Sequence, residues 1–252
     1  MLDVRITAKR YPSRTPGENF LALGNLALSV ETGEFACLVG PSGCGKSTLL
    51  SIIGGLDQQV EGTVTMDGAS TRQGTGFMFQ TPRLMPWLTV LDNVRLVLSH
   101  DDSAADRARS LLTQMELGDV LDAFPSRLSG GMQRRVALAR AFAIEPRVLL
   151  LDEPFVSLDL PVANRLRNML ISLWQERGTT ILFVTHDLRE ALALGDRILF
   201  MSASPGQIVY QHRIDIARPR TIDDPAVIAL QQKLLHDHPD LLAGLLDAGD
   251  DH

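Results

Sequence analysis

Three short stretches of this chain, Phe35 to Val39, Val148 to Leu151 and Thr180 to Val184, are apolar at almost every position. Runs of that length suit strands buried on both faces, since neither face meets water. Elsewhere the apolar residues recur at helical spacing. One such segment runs from Lys46 to Ile53 and stops at Gly54-Gly55; another runs from about Gly131 to Ile144, before Pro146, which cannot continue the hydrogen-bond ladder. Further helices are expected from about Leu160 to Arg177, ended by Gly178, and over Leu188 to Leu194. Strand and helix alternating in this way predict an α/β fold with a mainly parallel sheet and a ligand at the carboxyl ends of its strands.

The flanking regions read differently. Residues 2 to 35 suggest short strands divided by turn signals at Tyr11-Pro12-Ser13 and Pro16-Gly17-Glu18, an N-terminal antiparallel β subdomain. Gly62 to Met66 and Gly76 to Phe79 add strands, after which residues 81 to 127 turn helical and less regular. There Ser103 is placed to cap a helix that turns Ala108, Leu111, Leu112 and Met115 inward and closes near Gly118. A hairpin follows Ser204-Pro205-Gly206, and a helical tail ends the chain. The expected organisation is one domain over residues 2–235, carrying an inserted α-helical subdomain at about 81–145, and a C-terminal tail at 236–252.

Charge narrows the function. The 252 residues carry a formal net charge of -6, so the broad positive field that neutralises a nucleic-acid backbone is missing, and no nucleic acid is expected as a partner. Local basic pairs, Arg134 with Arg135 and Arg218 with Arg220, read as solvated surface. The two cysteines, Cys37 and Cys44, fit neither a disulfide framework nor a metal-ligand spacing, and suit a reducing cytoplasm. No stretch approaches the roughly 18 to 20 apolar residues of a membrane span, and Met1 to Arg10 mixes charged with apolar residues. The chain is therefore expected to be neither exported nor membrane-spanning, and to reach a membrane only by docking on another subunit.

The chemistry gathers at three places. Gly40-Pro41-Ser42-Gly43-Cys44-Gly45-Lys46-Ser47-Thr48 joins an apolar strand to a helix and fits the phosphate-loop pattern G-x-x-x-x-G-K-[ST]. Its glycines let backbone N–H groups turn inward on phosphate oxygens. Lys46 would add charge near the β- and γ-phosphates, Ser47 a hydroxyl for Mg2+, and the helix N-terminus a favourable dipole. A bulky thiol reagent on Cys44 would block ATP; the alternative is that Cys44 is a small filler residue. Asp152 and Glu153 end a buried strand, where adjacent carboxylates are costly without a cation or a hydrogen-bonding partner. Asp152 can help to hold Mg2+ and Glu153 can polarise an attacking water, while the plainer reading has both capping a turn. Leu128-Ser129-Gly130-Gly131-Met132 opens a helix whose first N–H groups form a second anion site, which with only one Lys suggests a nucleotide held by another copy.

Taken in order, the phosphate loop, Gln80, Leu128-Ser129-Gly130-Gly131, Asp152-Glu153, Ser157-Leu158-Asp159 and His186 make the chain resemble the ABC (ATP-binding cassette) ATPase family over residues 2 to 210. That resemblance implies a phosphate-loop NTPase core and a head-to-tail homodimer sandwiching two ATP molecules. Each ATP would lie between the phosphate loop of one copy and Ser129 to Gly131 of the other. It further implies that Gln80 contacts Mg2+ and the attacking water and senses a membrane partner, that His186 contacts the γ-phosphate, and that Asp159 signals across the dimer; the plainer readings are a strand-end Gln, a surface His and an N-capping Asp. Tyr11 resembles the aromatic that stacks on adenine, although a Tyr-Pro turn is also ordinary surface chemistry. The lengthened spacing from Ser13 to Phe20 keeps both readings open.

Within the family, Gln80 to Val90, with Pro86-Trp87, is similar to ATPases of bacterial importers of nitrate, alkanesulfonates and taurine. Asp152-Glu153-Pro154-Phe155 and Arg218-Pro219-Arg220 fit that subgroup too. The resemblance implies an ATPase on the cytoplasmic side of the inner membrane that drives permease subunits and, indirectly, a solute-binding protein. An exporter or lipid-handling ATPase is the alternative in transport, and a soluble ATPase acting on DNA or ribosomes the alternative outside it. Thr81, Met132 and Ser157 depart from the commoner Glu, Gln and Ala, and none of them removes a catalytic group.

Overall fold

The computed structural model describes residues 1–13, 19–71, 74–98 and 103–246. The turn expected at Pro16-Gly17-Glu18 and the last residues of the tail lie outside them. The chain divides into two compact units, one made of Met1–Gln73 with Thr180–His252 and the other of Gly74–Thr179.

In the first unit β1 (Leu2–Pro12) and β2 (Asn19–Val30) run as two long antiparallel strands, in place of the several short ones expected. Period-2 burial explains the length: Leu2, Val4, Ile6 and Ala8 face inward while Arg5 and Thr7 face water. The alternation then slips. The register with β2 shifts between Lys9 and Arg10, so that Ala8 and Lys9 are both buried, and the strand continues past a bulge that sequence alternation reads as an end. Next come β3 (Phe35–Val39), α1 (Lys46–Ile53), β4 (Glu61–Met66) and β5 (Ala69–Ser70). Strand β4 pairs antiparallel with β1, and β5 with β4.

The second unit opens with β6 (Thr75–Met78). Between it and β7 (Val148–Asp152) the described residues hold helices α2 (Val90–Arg95), α3 (Ala104–Gln114) and α4 (Gly130–Ala143), with two short 3-10 turns and no strand. β6 and β7 are parallel neighbours. In α3 the residues Ala108, Leu111 and Leu112 are buried as their spacing required. Ser103 holds the N-cap position but makes no cap bond; its hydroxyl accepts instead from Arg107 Nη1 at 2.8 Å. Helix α5 (Leu160–Arg177) closes the unit, its end fixed by Gly178 at φ 63.

Back in the first unit, β8 (Thr180–Thr185), α6 (Leu188–Leu194), β9 (Arg197–Met201), β10 (Ile208–Arg213) and α7 (Pro225–Asp237) complete the chain. β3 lies parallel to both β8 and β9, while β10 turns back antiparallel on β9 as the hairpin around Ser204-Pro205-Gly206. Every residue of β3, β7 and β8 is buried. At ~1.5–3 kcal/mol for each large apolar side chain removed from water, these strands anchor their units.

Candidate functional site

β3 delivers the phosphate loop. Its last residue, Val39, is followed at once by Gly40, and the turn closes with Gly45 as the N-cap of α1 at φ 103. Any side chain at Gly45 would be strained by that φ, and a Cβ there would also stand 2.6 Å from Leu23 Cδ2. The first turn of α1 contains no acidic residue, so its unpaired N–H groups and positive dipole end are not neutralised from within the helix. Lys46 is buried over the loop, donating from Nζ to Gly40 O at 2.7 Å and Pro41 O at 2.8 Å. Ser42, Gly43 and Ser47 are exposed, and Pro41 and Thr48 half-buried.

Cys44 is the filler residue, not the exposed target. Its side chain is 1% exposed, and burial pushes its thiol above the usual range despite the nearby Lys46 ammonium. Both effects suppress the reactive thiolate, so the expected block by a thiol reagent has no accessible handle.

The register between β3 and β8 sets Val39 opposite Thr185. Gly40 and His186 therefore leave the same carboxyl end of adjacent parallel strands. His186 itself is exposed, and the turn carrying it is braced on both sides. Thr185 Oγ1 donates to the buried Glu190 Oε2 at 2.7 Å and accepts from the Asp187 N–H at 3.1 Å, while Asp187 caps α6.

Tyr11, near the end of β1, is held by two neighbours that sequence reading missed. The bulge turns Lys9 inward, where Nζ donates to Asp57 Oδ1 and to Gln59 O, each at 2.7 Å, and lies 4.5 Å from the centre of the Tyr11 ring. Tyr11 Oη donates to Asp57 Oδ2 at 2.8 Å. Burial alone would raise the Asp57 carboxyl, but the bonds from Lys9, Tyr11 and the Gln59 N–H outweigh it and hold the group below the usual carboxylate range. A lowered folded pKa means that the latch stabilises above the unfolded carboxyl value and is lost only as pH falls through the folded one.

The second unit repeats the strand-end logic. β6 and β7 pair Met78 with Leu151, so Gln80 and the Asp152-Glu153 pair leave one end of two neighbouring strands. Asp152 is buried and closes β7, Glu153 is half-buried at φ 44, and Gln80 is exposed. Ser129 caps α4, its hydroxyl accepting from the Met132 N–H at 3.2 Å, and no acidic residue stands in the first turn of that helix. The hydroxyl hydrogen remains available to donate. The glycines beside it differ in cause: a Cβ at Gly130 would meet nothing within 4 Å, whereas one at Gly131 would stand 2.5 Å from Val162 Cγ1. Asp159 caps α5 through Oδ1, which accepts from the Val162 N–H at 2.9 Å, so the plainer reading of that residue is realised here.

The segment after Gln80 is shaped by Asn93, which is fully buried. Its Oδ1 accepts from the Met85 N–H at 2.8 Å, and its Nδ2 donates to the carbonyls of Met85, Leu88 and Thr89 at 2.9 to 3.1 Å. The turn so fixed leaves Leu84 and Leu88 half-buried but Trp87 70% exposed.

The basic pairs read as solvated surface are otherwise employed. Arg134 is buried and donates to three carbonyls of its unit, and Arg135 donates to Met115 O at 3.0 Å. Arg218 pairs with Asp196 and donates to Leu194 O; Arg220 donates to Leu192 O at 2.8 Å, to Ala193 O at 3.1 Å and to Gly195 O. Two guanidinium groups thus satisfy the carbonyls at the C-terminal end of α6, where cations are favoured. Polar sequence character alone cannot separate such a cap from a solvated arginine.

Residues 23–156 match the family model described as ABC transporter. The chain belongs to the ABC transporter family. Among its relatives is the aliphatic sulfonates import ATP-binding protein SsuB 2 of Burkholderia cenocepacia (strain HI2424), 42% identical over 238 residues that cover 93% of this chain and 86% of the relative. The aliphatic sulfonates import ATP-binding protein SsuB of Bacillus subtilis (strain 168) is likewise 42% identical, over 93% of each chain. The ATP-binding cassette MJ0796, solved as a dimer in a post-hydrolysis state bound to ADP and Pi, superposes with a TM-score of 0.75 at 34% identity, over 86% of this cassette and 100% of that one. The ABC cassette fold expected from the sequence is therefore the fold observed.

Proposed function

We propose that the chain is the ATP-hydrolysing subunit of an importer for small anions of the sulfonate, taurine or nitrate type, acting as a homodimer on permease subunits at the cytoplasmic face of the inner membrane. The observation that carries the reading is the phosphate loop: a left-handed Gly45, a buried Lys46 ammonium and an unneutralised helix start together form a cradle for a polyphosphate. The sulfonate importer relatives supply the solute class. Residues 2–235 would constitute the cassette, 81–145 its helical subdomain and 236–252 the tail.

The roles follow the chemistry of each group. Gly40 to Thr48 would bind the phosphates of ATP, Glu153 would polarise the attacking water, and His186 would donate to the γ-phosphate. Tyr11 would stack on adenine. Mg2+ would be held by Ser47 and Gln80, with Asp152 acting mostly through water. Among the described residues no three or more His, Cys, Asp and Glu side chains cluster to hold a metal, and such a sparse set of oxygen donors suits a cation that keeps its waters and takes phosphate oxygens as ligands. When bound, Mg2+ neutralises charge on the phosphates. Asp159, through its uncommitted Oδ2, would reach toward the second copy. The exposed Trp87 would meet a short helix of the permease, as an apolar anchor beside Gln80. No described helix is long and apolar enough to cross a membrane.

Ser129 to Gly131 would grip the ATP of the second copy, and the two glycines offer a clean test. Gly130→Ala meets only open space, so its melting temperature should hold or rise slightly. The added methyl would still face the incoming phosphate, and turnover should fall about 10- to 100-fold. Gly131→Ala should instead destabilise by roughly 1–3 kcal/mol, because the new Cβ overpacks against the stiff Val162 side chain. Thermal melts with phosphate-release assays on both variants separate these outcomes. Full activity of a folded Gly130→Ala would remove the second-copy contact.

The direct test of the proposal is phosphate release from MgATP by the purified chain, and its stimulation on reconstitution with the permease and solute-binding protein. An exporter permease as the co-purifying partner would overturn import.

A further inference from the structure

The geometry points to Arg134 as a positioning residue that locks the Gln80 segment, the segment after Glu153 and the start of α4 into one rigid body. The inference rests on the ATPase reading above and adds a residue to it.

Arg134 lies one turn inside α4, four residues beyond the Gly130 that opens the helix. Its Nη1 donates to Gln80 O at 3.0 Å and to Pro154 O at 2.8 Å, and its Nη2 donates to Val156 O at 2.6 Å. The side chain is 8% exposed, and among the described residues no carboxylate pairs with it. Burial accordingly lowers its affinity for the proton. A guanidinium taken out of water without a counter-ion is expensive unless its donors are satisfied, and here carbonyl oxygens satisfy them.

The placement of those oxygens is what gives the contact a function. Gln80 follows β6 and Pro154 follows β7, two parallel neighbours, so the planar fork bridges two loops at one sheet end that are far apart in sequence. The second of these loops is strained: Glu153 at φ 44 and Ser157 at φ 61 are both left-handed without being glycine, a conformation that persists only where its surroundings enforce it. Two of the three carbonyls held by Arg134, those of Pro154 and Val156, lie between these strained residues. Any displacement of Gln80 must therefore either carry the Glu153 to Asp159 segment and α4 with it or break a part-buried charged hydrogen bond. Movement at the proposed permease-facing residue is thereby passed to the residue that polarises water.

The test uses the full chain, alone and reconstituted with its permease, with Arg134→Gln and Arg134→Lys compared with the natural residue. For Arg134→Gln the expected result is a fall of about tenfold or more in kcat with KM for ATP within about twofold, together with loss of most of the stimulation by the permease. Arg134→Lys, which keeps the charge but not the fork, should recover part of the kcat and little of the stimulation. A variant that melts like the natural chain and keeps both kcat and stimulation overturns the inference. So does a kcat and KM change that merely follows the fraction unfolded in the thermal melt. Absence of ATPase activity in the unsubstituted chain would instead strike the proposed function itself, so the two failures are distinguishable.

Discussion

Glu153→Gln should abolish steady turnover while leaving ATP bound. The amide keeps the size of the carboxylate and its place at the end of β7, but it cannot take up charge as the attacking water loses its proton, and removing a positioned base of this kind costs about 10²- to 10⁴-fold. Because the phosphate loop belongs to other residues, affinity for ATP should be retained. If two copies close on ATP and reopen only after hydrolysis, the variant should accumulate as an ATP-bound dimer. Size-exclusion chromatography with and without MgATP, beside a phosphate-release assay, reads both consequences. Turnover at the natural rate would remove Glu153 from its assigned role.

Lys46→Ala should act one step earlier, on binding. Each charge-assisted hydrogen bond to a phosphate contributes roughly 1.5–3 kcal/mol, so loss of the ammonium should raise the Kd for ATP about 10- to 100-fold. The structure adds a second effect. Lys46 Nζ also ties Gly40 O to Pro41 O, so the variant loosens the frame on which the N–H groups are aimed. Calorimetric titration of the variant with MgATP measures the loss, and an unchanged Kd would contradict the phosphate-loop assignment.

Much of the fold was legible because its periods are distinct. Phe35–Val39 appears as β3 residue for residue and Lys46–Ile53 as α1, since an unbroken apolar run and a helical spacing are local properties. The candidate site was legible for the same reason: glycines, a Lys and paired carboxylates at strand ends carry their own chemistry. What stayed hidden depends on partners far away along the chain. The bulge that turns Lys9 inward is made by its register with β2, and Gly131 is required by Val162 on another helix. Arg134, Arg218 and Arg220 look hydrophilic in sequence, and only the folded chain brings carbonyl oxygens to them. The thiol of Cys44 lies beside the exposed Ser42 and Gly43, and only packing shows it to be out of reach.

If Tyr11 is the ring that receives the base, as proposed above, its latch bears on which nucleotide the cassette selects. With its hydroxyl bonded to Asp57 and Lys9 lying 4.5 Å from its ring centre, the side chain is ordered before any base arrives. A base settling on it loses little further freedom, so the stacking energy goes into affinity and not into organising the ring. Yet a ring face whose only polar atom is already bonded to Asp57 offers no donor or acceptor pattern to read. Stacking of that kind is tolerant of base identity, and GTP should compete with ATP at comparable concentrations in a binding assay, leaving cellular abundance to decide which purine drives the cycle.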